Sequence, residues 1–392
     1  MKDYWKETTT KKVNQKKVIS TIILAIIVIF VVSIVLIYCH NSFIREWIDK
    51  NIFRKEVMQD NVSTIELKEN ENANIHAFNK YIGVLNKNKF VIYGSTGSEE
   101  KTLEVEVSNP IFNSANRFLV MAEKKGKKLY LITDKDITWE AEVEGNISQV
   151  HVNKNGYVAA VITDTINKTV VIMYNPEGKE MFKTYLSATR TADIAISNDN
   201  KWLAIAEIDT SGTIIQSNIK IISIEKASSD PTNSLENTYQ GQPDKLITNI
   251  KYQDKNRLIC MYTDEIHIIE NHQETTLMEN QNKKVIFQSI ELMNHAVQIE
   301  EKSSGLFTAD SVIHIMHTEN RGIKEYTVDT VTKEMYTYSN MIALNLGTEI
   351  EFINTDGWLV KRYIAKQEIT NIVVSDSIAG IIYRDKIEII NL

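Results

Sequence analysis

The sequence is poor in cysteine, proline and glycine, and it has no excess of positive charge. Its two cysteines, Cys39 and Cys260, lie in an apolar run and in a strand pattern, so no disulfide framework is expected. Four prolines and fourteen glycines in 392 residues provide no low-complexity linker. The net charge of −7 argues against a general nucleic-acid binder, because binding to phosphates requires a basic face.

Motifs that identify common enzymes and metal proteins are also missing. The chain contains no G-x-S-x-G, no G-x-x-x-x-G-K-[ST] and no C-x-x-C. The histidines of "HIMH", His314 and His317, lie in a strand pattern, where residues three apart point to opposite faces. The carboxylates of "TDKD" from Thr133 and of "SNDN" from Ser197 are typical of plain hairpin turns. We therefore predict no catalytic residue, cofactor or metal site, and we favour a non-enzymatic role while leaving an enzyme open.

One long hydrophobic run is present near the N-terminus. Val18–Cys39 contains 22 residues and no charge, and about 20 apolar residues suffice to cross a bilayer. A cleaved signal peptide would have a shorter apolar region followed by a small-residue cleavage site, which "IYCHNSFIREW" does not offer. The run therefore predicts a transmembrane helix whose partner is the lipid bilayer.

The basic residues around this run predict its orientation. Six lysines precede it, and four basic residues follow it up to Asp60. The positive-inside rule then places the N-terminus in the cytoplasm and the main domain outside, at the cell membrane. Apolar residues recur at helical spacing from Phe43 to Ile52. We predict a cytoplasmic tail over residues 1–17, a transmembrane helix over 18–39, a helical stalk over 40–60 and an extracytoplasmic domain over 61–392.

A short phrase, a polar turn followed by an apolar strand, occurs eight times in that domain. The residues that begin these strands are Tyr81, Phe118, Tyr157, Trp202, Arg257, His295, Met341 and Ile378. Their spacing ranges from 37 to 55 residues, with a mean of about 42, which is the repeat length of propeller blades. The repeat therefore predicts an all-β propeller, with eight blades or, because Met341 is the weakest anchor, seven.

Each repeat has room for four strands, which predicts one antiparallel sheet per blade. Asn, Asp and Gly at the turns allow the positive φ that tight hairpins need. Small residues recur in the middle of the anchor strands, and we expect them where space between the sheets is short: Gly83, Ala159, Ala204, Ala343 and Gly380.

The two ends of the domain are complementary. The last repeat stops after its third strand, at "IEIINL", and "VSTIELK" from Val62 belongs to no repeat of its own. We predict that this first strand completes the last sheet and closes the ring, which removes exposed sheet edges.

Two segments and the layout of the chain carry a family resemblance. "LYLITDKDITWEAEVEG", Leu129–Gly145, resembles a hairpin of quinoprotein-like propellers that has a Trp at the position of Trp139, and "SNDNKWLAIAEI" resembles the S-P-D-G-type hairpin of bacterial propellers. With one preceding span, residues 61–392 resemble an uncharacterised family of single-pass, membrane-anchored propellers from Firmicutes. The resemblance implies the fold and the membrane placement and no activity. Quinone binding is not implied, because only three tryptophans fall in the propeller.

A propeller without a catalytic motif favours a binding or scaffolding module for a protein or cell-envelope partner. Long loops are predicted over Asp209–Asn218 and Glu300–Asp310. Arg190, which lies between the third and fourth repeats, is expected on the same face as these loops. The candidate partner-binding residues on this face are Arg190, Asp209, Thr210, Ser211, Glu300, Glu301 and Lys302. Two alternatives stay open: a glycan-active enzyme with carboxylates at the mouth of the channel, which a polar, open mouth would favour, and a small-ligand sensor that signals through a partner.

Overall fold

The computed structural model describes residues 15–392 with the exception of 41–43, 46–47, 50–51, 54, 57–61, 68–72, 242–244, 254–256, 271–272, 281–282 and 306–307. It contains two compact units, Met1–Glu56 and Val57–Leu392. Within the predicted stalk, residues 44–45 and 48–49 are helical, and most of the rest lies outside the described residues, as does the tail over 1–14.

The first unit contains a helix, α1 (Gln15–His40), of 26 residues. Its segment Ser20–Tyr38 has a mean hydropathy of 3.2 and contains no charged residue. Nineteen helical residues extend about 28 Å, which is close to the hydrocarbon thickness of a bilayer. The apolar side chains of this segment are exposed within the chain itself, so α1 can serve as a membrane span or as a signal sequence.

The second unit is an eight-bladed propeller: in its described residues, 32 strands form eight four-stranded antiparallel sheets. The alternative with seven blades is wrong. We number the blades 1 to 8 and letter their strands A to D in pairing order, with strand A innermost. This order follows from the contacts around the axis, where the A strands of neighbouring blades touch one another.

Blades 1 to 4 consist of consecutive strands. Their bounds are β2 (Asn74–Phe78), β3 (Tyr81–Asn86), β4 (Lys89–Tyr93) and β5 (Glu99–Glu104) in blade 1; β6 (Pro110–Ala115), β7 (Phe118–Glu123), β8 (Lys128–Ile132) and β9 (Ile137–Glu142) in blade 2; β10 (Asn146–Val152), β11 (Val158–Thr163), β12 (Thr169–Tyr174) and β13 (Glu180–Leu186) in blade 3; and β14 (Arg190–Ile196), β15 (Trp202–Asp209), β16 (Gln216–Ser223) and β17 (Leu235–Gln240) in blade 4. A short helix, α2 (Ile224–Ser229), and a 3₁₀ turn, Pro231–Asn233, separate β16 from β17. They account for the longest repeat.

Blades 5 to 7 follow the same order, and blade 8 joins the two ends of the domain. Their bounds are β18 (Ile247–Tyr252), β19 (Leu258–Tyr262), β20 (Glu265–Glu270) and β21 (Gln273–Glu279) in blade 5; β22 (Val285–Ser289), β23 (His295–Ser303), β24 (Ala309–His317) and β25 (Ile323–Val328) in blade 6; β26 (Glu334–Tyr338), β27 (Met341–Asn345), β28 (Glu349–Asn354) and β29 (Leu359–Ile364) in blade 7; and β30 (Asn371–Val374), β31 (Ile378–Ile382), β32 (Lys386–Asn391) and β1 (Ser63–Glu66) in blade 8.

The ring closes as the sequence predicts. Strand β1 pairs antiparallel with β32, with Ser63 opposite Ile389 and Glu66 opposite Lys386. Ile65 of β1 is buried in the cluster that joins blades 8 and 1. Closure therefore depends on apolar burial as well as on backbone hydrogen bonds.

The core is divided among the gaps between blades. Among the described residues there are eight hydrophobic clusters, one between each pair of neighbouring blades. Cys260 is a free, buried cysteine in the cluster between blades 4 and 5. Because each blade packs against a neighbour on both of its faces, burial of apolar side chains stabilises the fold around the whole ring.

The small residues lie in tight places, as expected. Ala159, Ala204 and Ala343 are fully buried. A Cβ on Gly83 would lie 2.2 Å from Cζ of Phe90. The ring of Phe90, from the next strand of the same blade, thus occupies the space above this glycine. The distance between sheets is therefore not the only reason why a small residue is needed here.

The repeated turn follows strand A, and its length differs between blades: two residues separate the strands in blades 1, 2 and 7, and five in blades 3, 4 and 6. The A–B turns of six blades contain a residue with positive φ, namely Asn79, Asn116, Gly156, Asn200, Asn294 and Ser339. Asparagine and glycine tolerate this conformation, which the two-residue turns of blades 1, 2 and 7 require. Since the strands alternate in direction, all these turns lie on one face of the disc, and the B–C loops lie on the other.

Candidate binding site at the mouth of the channel

A concave cavity of about 370 Å³ lies where the A–B turns meet around the axis. Seven blades contribute to its wall, from blade 2 to blade 8. Its polar and charged residues include Asn113, Asn116, His151, Asn153, Lys154, Asn198, Lys251, Glu291, Asn294, Tyr338 and Asp376. The mouth of the channel is therefore open and has polar side chains from several blades, although most of its surface is apolar; its volume is in the range of small-molecule sites.

The positions of these residues follow from the repeat. Each innermost strand ends at the same face of the disc, and the turn after it contains a polar residue that favours the turn conformation. Asn116 and Asn294 have φ values of 54° and 52°, so these asparagines are present for backbone reasons and their side chains reach the cavity as a consequence.

An ion pair crosses the wall between blades 5 and 6. Nζ of Lys251 lies 2.9 Å from Oε2 of Glu291 and 2.6 Å from the main-chain oxygen of the same residue. The charge of Lys251 lowers the pKa of Glu291, which keeps this carboxylate ionised. Glu291 is 54% exposed, so the pair faces water in the cavity and contributes little to stability.

Two histidines at this end of the channel, His76 and His151, have lowered pKa values. Burial lowers the pKa of His151, which lines the cavity, to about 4. Burial also lowers the pKa of His76 to about 4; its Nε2 lies 3.0 Å from Oγ of Ser114, and its ring stacks on Phe112 at 5.2 Å. Neutral imidazoles offer a donor and an acceptor, without a charge.

Hydrogen bonds between blades hold the turns in place. The amide of Val152 donates to Oδ1 of Asn113 (2.8 Å), and Nδ2 of Asn153 donates to Oδ1 of Asn200 (2.6 Å). Nε2 of Gln253, in blade 5, donates to the main-chain oxygen of Leu292, in blade 6. These bonds are local to the cavity wall, so the site is formed before any ligand binds.

A half-buried carboxylate joins blades 4 and 5. Asp193 of β14 accepts hydrogen bonds from the amides of Ile250, in blade 5, and Ile194, at 2.8 and 2.9 Å. Burial raises its pKa to about 7 in spite of these donors. Because its oxygens are used between blades 4 and 5, we assign Asp193 to structure rather than to chemistry.

The residues predicted for partner binding in blade 4 lie on the opposite face. Arg190 is the first residue of β14 and pairs with Ile208. Asp209 ends β15, and its Oδ1 accepts the hydroxyl and the amide of Ser211 at 2.7 and 2.8 Å, which lowers its pKa. Thr210 and Ser211 lie in the loop before β16, and all four residues are at least partly exposed.

The residues predicted in blade 6 belong to a strand. Glu300, Glu301 and Lys302 lie within β23, which runs to Ser303, so the prediction of a loop from residue 300 is wrong. Glu300 accepts from Nε2 of His314 at 3.0 Å, and Glu301 lies 2.5 Å from Nζ of Lys284. The contact with His314 lies within the β23–β24 hairpin, and the contact with Lys284 joins β23 to the segment before β22. The two predicted groups share a face but are separated by blade 5.

Sequence reasoning did not identify the cavity residues. The signal that points to them is the polar residue after each A strand, but in the sequence such a residue indicates only a turn. Among the described residues, no group of three or more His, Cys, Asp or Glu is arranged to hold a metal ion.

Comparison with known proteins supports the fold. Residues 54–392 match the family described as "Family of unknown function (DUF5711)". The chain belongs to this family. No curated protein matches it in sequence.

Two solved structures are similar in fold. BamB from Moraxella catarrhalis is 12% identical, with a TM-score of 0.52, over 84% of this chain and 98% of that one. The C-terminal WD40 domain of Sif2 is 10% identical, with a TM-score of 0.56, and its coverage is the same.

At these identities the comparisons establish the propeller and no activity for this DUF5711 member. The expected resemblance to an uncharacterised family with a propeller fold is confirmed in this form. The membrane anchor and the bacterial source stay predictions.

Proposed function

We propose that this DUF5711 protein is a single-pass membrane protein whose extracytoplasmic propeller binds a protein or cell-envelope partner. The observation that supports it best is the preformed cavity to which seven blades contribute. A closed ring of blades provides a rigid wall, and a ligand that enters it need not order the protein.

The proposed topology rests on α1 and on the lysines before it. The domain bounds of the sequence prediction are kept: a cytoplasmic tail over 1–17, the span over 18–39, a stalk over 40–60 and the propeller over 61–392. A signal sequence at the same place is the competing explanation, and the two differ in whether the N-terminus is retained.

Cysteine labelling in intact cells tests the topology. The variants are Lys302→Cys, on the exposed part of β23, and Lys2→Cys, each with Cys39→Ser. Cys260 is fully buried, and burial raises its thiol pKa, so it should not react. We expect a membrane-impermeant maleimide to label position 302 directly and position 2 only after permeabilisation. The opposite pattern, or loss of an N-terminal tag, would contradict the proposal.

Capture of a partner tests the binding role. The full chain in lipid nanodiscs is immobilised and incubated with membrane and cell-wall fractions, and saturable recovery is measured. Loss of recovery with Met293→Trp places the partner at the cavity, and loss with Arg190→Glu places it on the opposite face. Absence of any saturable partner would count against a binding module.

A glycan-active enzyme is the second candidate, and one observation favours it. Glu291 and Asp376, two carboxylates, line the same open cavity. Hydrolysis of chromogenic glycosides by the full chain, abolished by Glu291→Gln or Asp376→Asn, would establish the enzyme. Hydrolysis unaffected by either substitution would exclude these carboxylates.

A further inference from the structure

We propose that the cavity at the mouth of the channel binds a neutral saccharide of one or two sugar rings. This inference rests on the proposed binding function and names the ligand class of the same site. It follows from the charge, the hydrogen-bonding groups and the shape of the cavity wall.

The charged groups of the wall cancel. Two lysines, Lys154 and Lys251, and two carboxylates, Glu291 and Asp376, line the cavity, and one lysine is already paired with one carboxylate. His151 adds no charge, because its pKa of about 4 leaves the imidazole neutral. A phosphate, a nucleotide or a polycation would need an uncompensated charge of opposite sign, so the wall suits a neutral ligand.

The wall is rich in amides with unused hydrogen-bonding capacity. Among the described residues, no hydrogen bond to protein involves the side chains of Asn116 or Asn198, and Asn113 uses only its oxygen. Each amide provides two donors and an acceptor, and a sugar hydroxyl is both donor and acceptor. Side chains from different blades can therefore contact hydroxyls around the edge of one ring.

Apolar surface lies beside these amides. Met293 is 50% exposed at the cavity, Leu292 and Ile196 are buried in its wall, and Tyr338 adds an aromatic ring. A sugar ring has apolar C–H faces and a polar edge, which matches this distribution. An extended peptide would require a long groove, whereas blades around most of the ring enclose this cavity.

Calorimetry on the full chain in lipid nanodiscs tests the proposal. Sugar-headgroup detergents are avoided because they would compete. The probes are maltose, cellobiose and diacetylchitobiose, with a hexose phosphate and triglycine for comparison. Met293→Trp should fill the cavity. Leu235→Trp is the matched control, since Leu235 is equally exposed (50%) but lies on outer strand β17.

We expect saturable binding of at least one neutral disaccharide, weakened about tenfold or more by Met293→Trp and changed less than about twofold by Leu235→Trp. Binding unaffected by Met293→Trp would overturn the assignment of the site. Binding of only the hexose phosphate or triglycine would overturn the ligand class. If no disaccharide binds but the capture experiment still recovers a partner, this inference is wrong and the proposed function stands.

Discussion

Replacement of Gly83 by alanine tests how tightly each blade is packed. Gly83 lies in the middle of β3, and an added Cβ would lie 2.2 Å from Cζ and 2.6 Å from Cε2 of Phe90. Such contacts require a shift of the neighbouring group. Phe90 is fully buried, with Phe78 and Phe112 at ring-centroid distances of 6.4 and 6.3 Å, so its ring has little room to move.

The expected magnitude combines two opposing effects. Overpacking of a buried site costs about 1–3 kcal/mol. The lower conformational freedom of alanine in the unfolded chain returns about 0.4–1 kcal/mol. We therefore expect Gly83→Ala to lower the free energy of unfolding by about 1–2 kcal/mol. Urea denaturation of the full chain in nanodiscs, followed by tryptophan fluorescence, measures this change.

Two further variants make the reasoning refutable. Gly212 lies in an exposed loop, where an added Cβ has no neighbour closer than 3.6 Å, so Gly212→Ala should change stability by less than about 0.5 kcal/mol. Phe90→Leu should cost less in the Gly83→Ala background than alone, because the two residues compete for one volume. Equal stability of Gly83→Ala and Gly212→Ala would refute the packing argument.

Two other predictions concern buried polar groups. The hydroxyl of Tyr363 donates to the buried carboxylate of Glu388, so Tyr363→Phe should cost about 1.5–3 kcal/mol in urea denaturation. The imidazole nitrogens of His267 lie 2.8 Å from carboxylate oxygens of Glu265 and Glu274. Burial opposes protonation of His267, but its hydrogen bonds to the two glutamates outweigh burial and raise its pKa. The pKa values of both glutamates are lowered. Protonated His267 stabilises the folded protein fully below about pH 6.5, and this contribution is lost as the pH rises through the folded-state pKa of the histidine. The ionised glutamates stabilise the folded protein at higher pH, and their contribution is lost as the pH falls below about 4.5. His267→Gln should therefore lower the melting temperature most between pH 5 and 6.5, and less at pH 9.

Each of these predictions has a control. Tyr185 is 58% exposed, and Tyr185→Phe should leave stability unchanged. If Tyr363→Phe behaves in the same way, the hydroxyl does not stabilise Glu388. For His267, a loss of stability that is the same at every pH would show that only packing was removed.

Much of the fold could be predicted because its signals are local. The turn and strand after each A strand are encoded by a few adjacent residues, and their spacing gave the blade count. The closing strand was predicted from the unmatched segments at Val62 and at the C-terminus, and β1 pairs with β32 as expected. The sequence predicts too short a hairpin in blade 6, because the side-chain contact between Glu300 and His314 is not visible in either strand alone.

The candidate site could not be predicted because it depends on the whole ring. Asn113 and Asp376 are 263 positions apart in sequence and line one cavity. Long loops directed the sequence prediction to the opposite face, since loop length is a local signal and concavity is not. The Tyr363–Glu388 contact likewise depends on how two blades face each other.

Closure of the ring by its first strand is the central claim, and a disulfide tests it most directly. Glu66 of β1 lies opposite Lys386 of β32, and paired strand residues have Cα atoms about 4.5–5.5 Å apart, within the range that a disulfide spans. We predict that Glu66→Cys with Lys386→Cys, in a Cys39→Ser background, forms an intramolecular disulfide under mild oxidation, seen on a non-reducing gel. Glu66→Cys with Lys324→Cys, in outer strand β25 of blade 6, should not form one. Failure of the first pair to cross-link, or equal cross-linking of both pairs, would contradict a ring closed by β1.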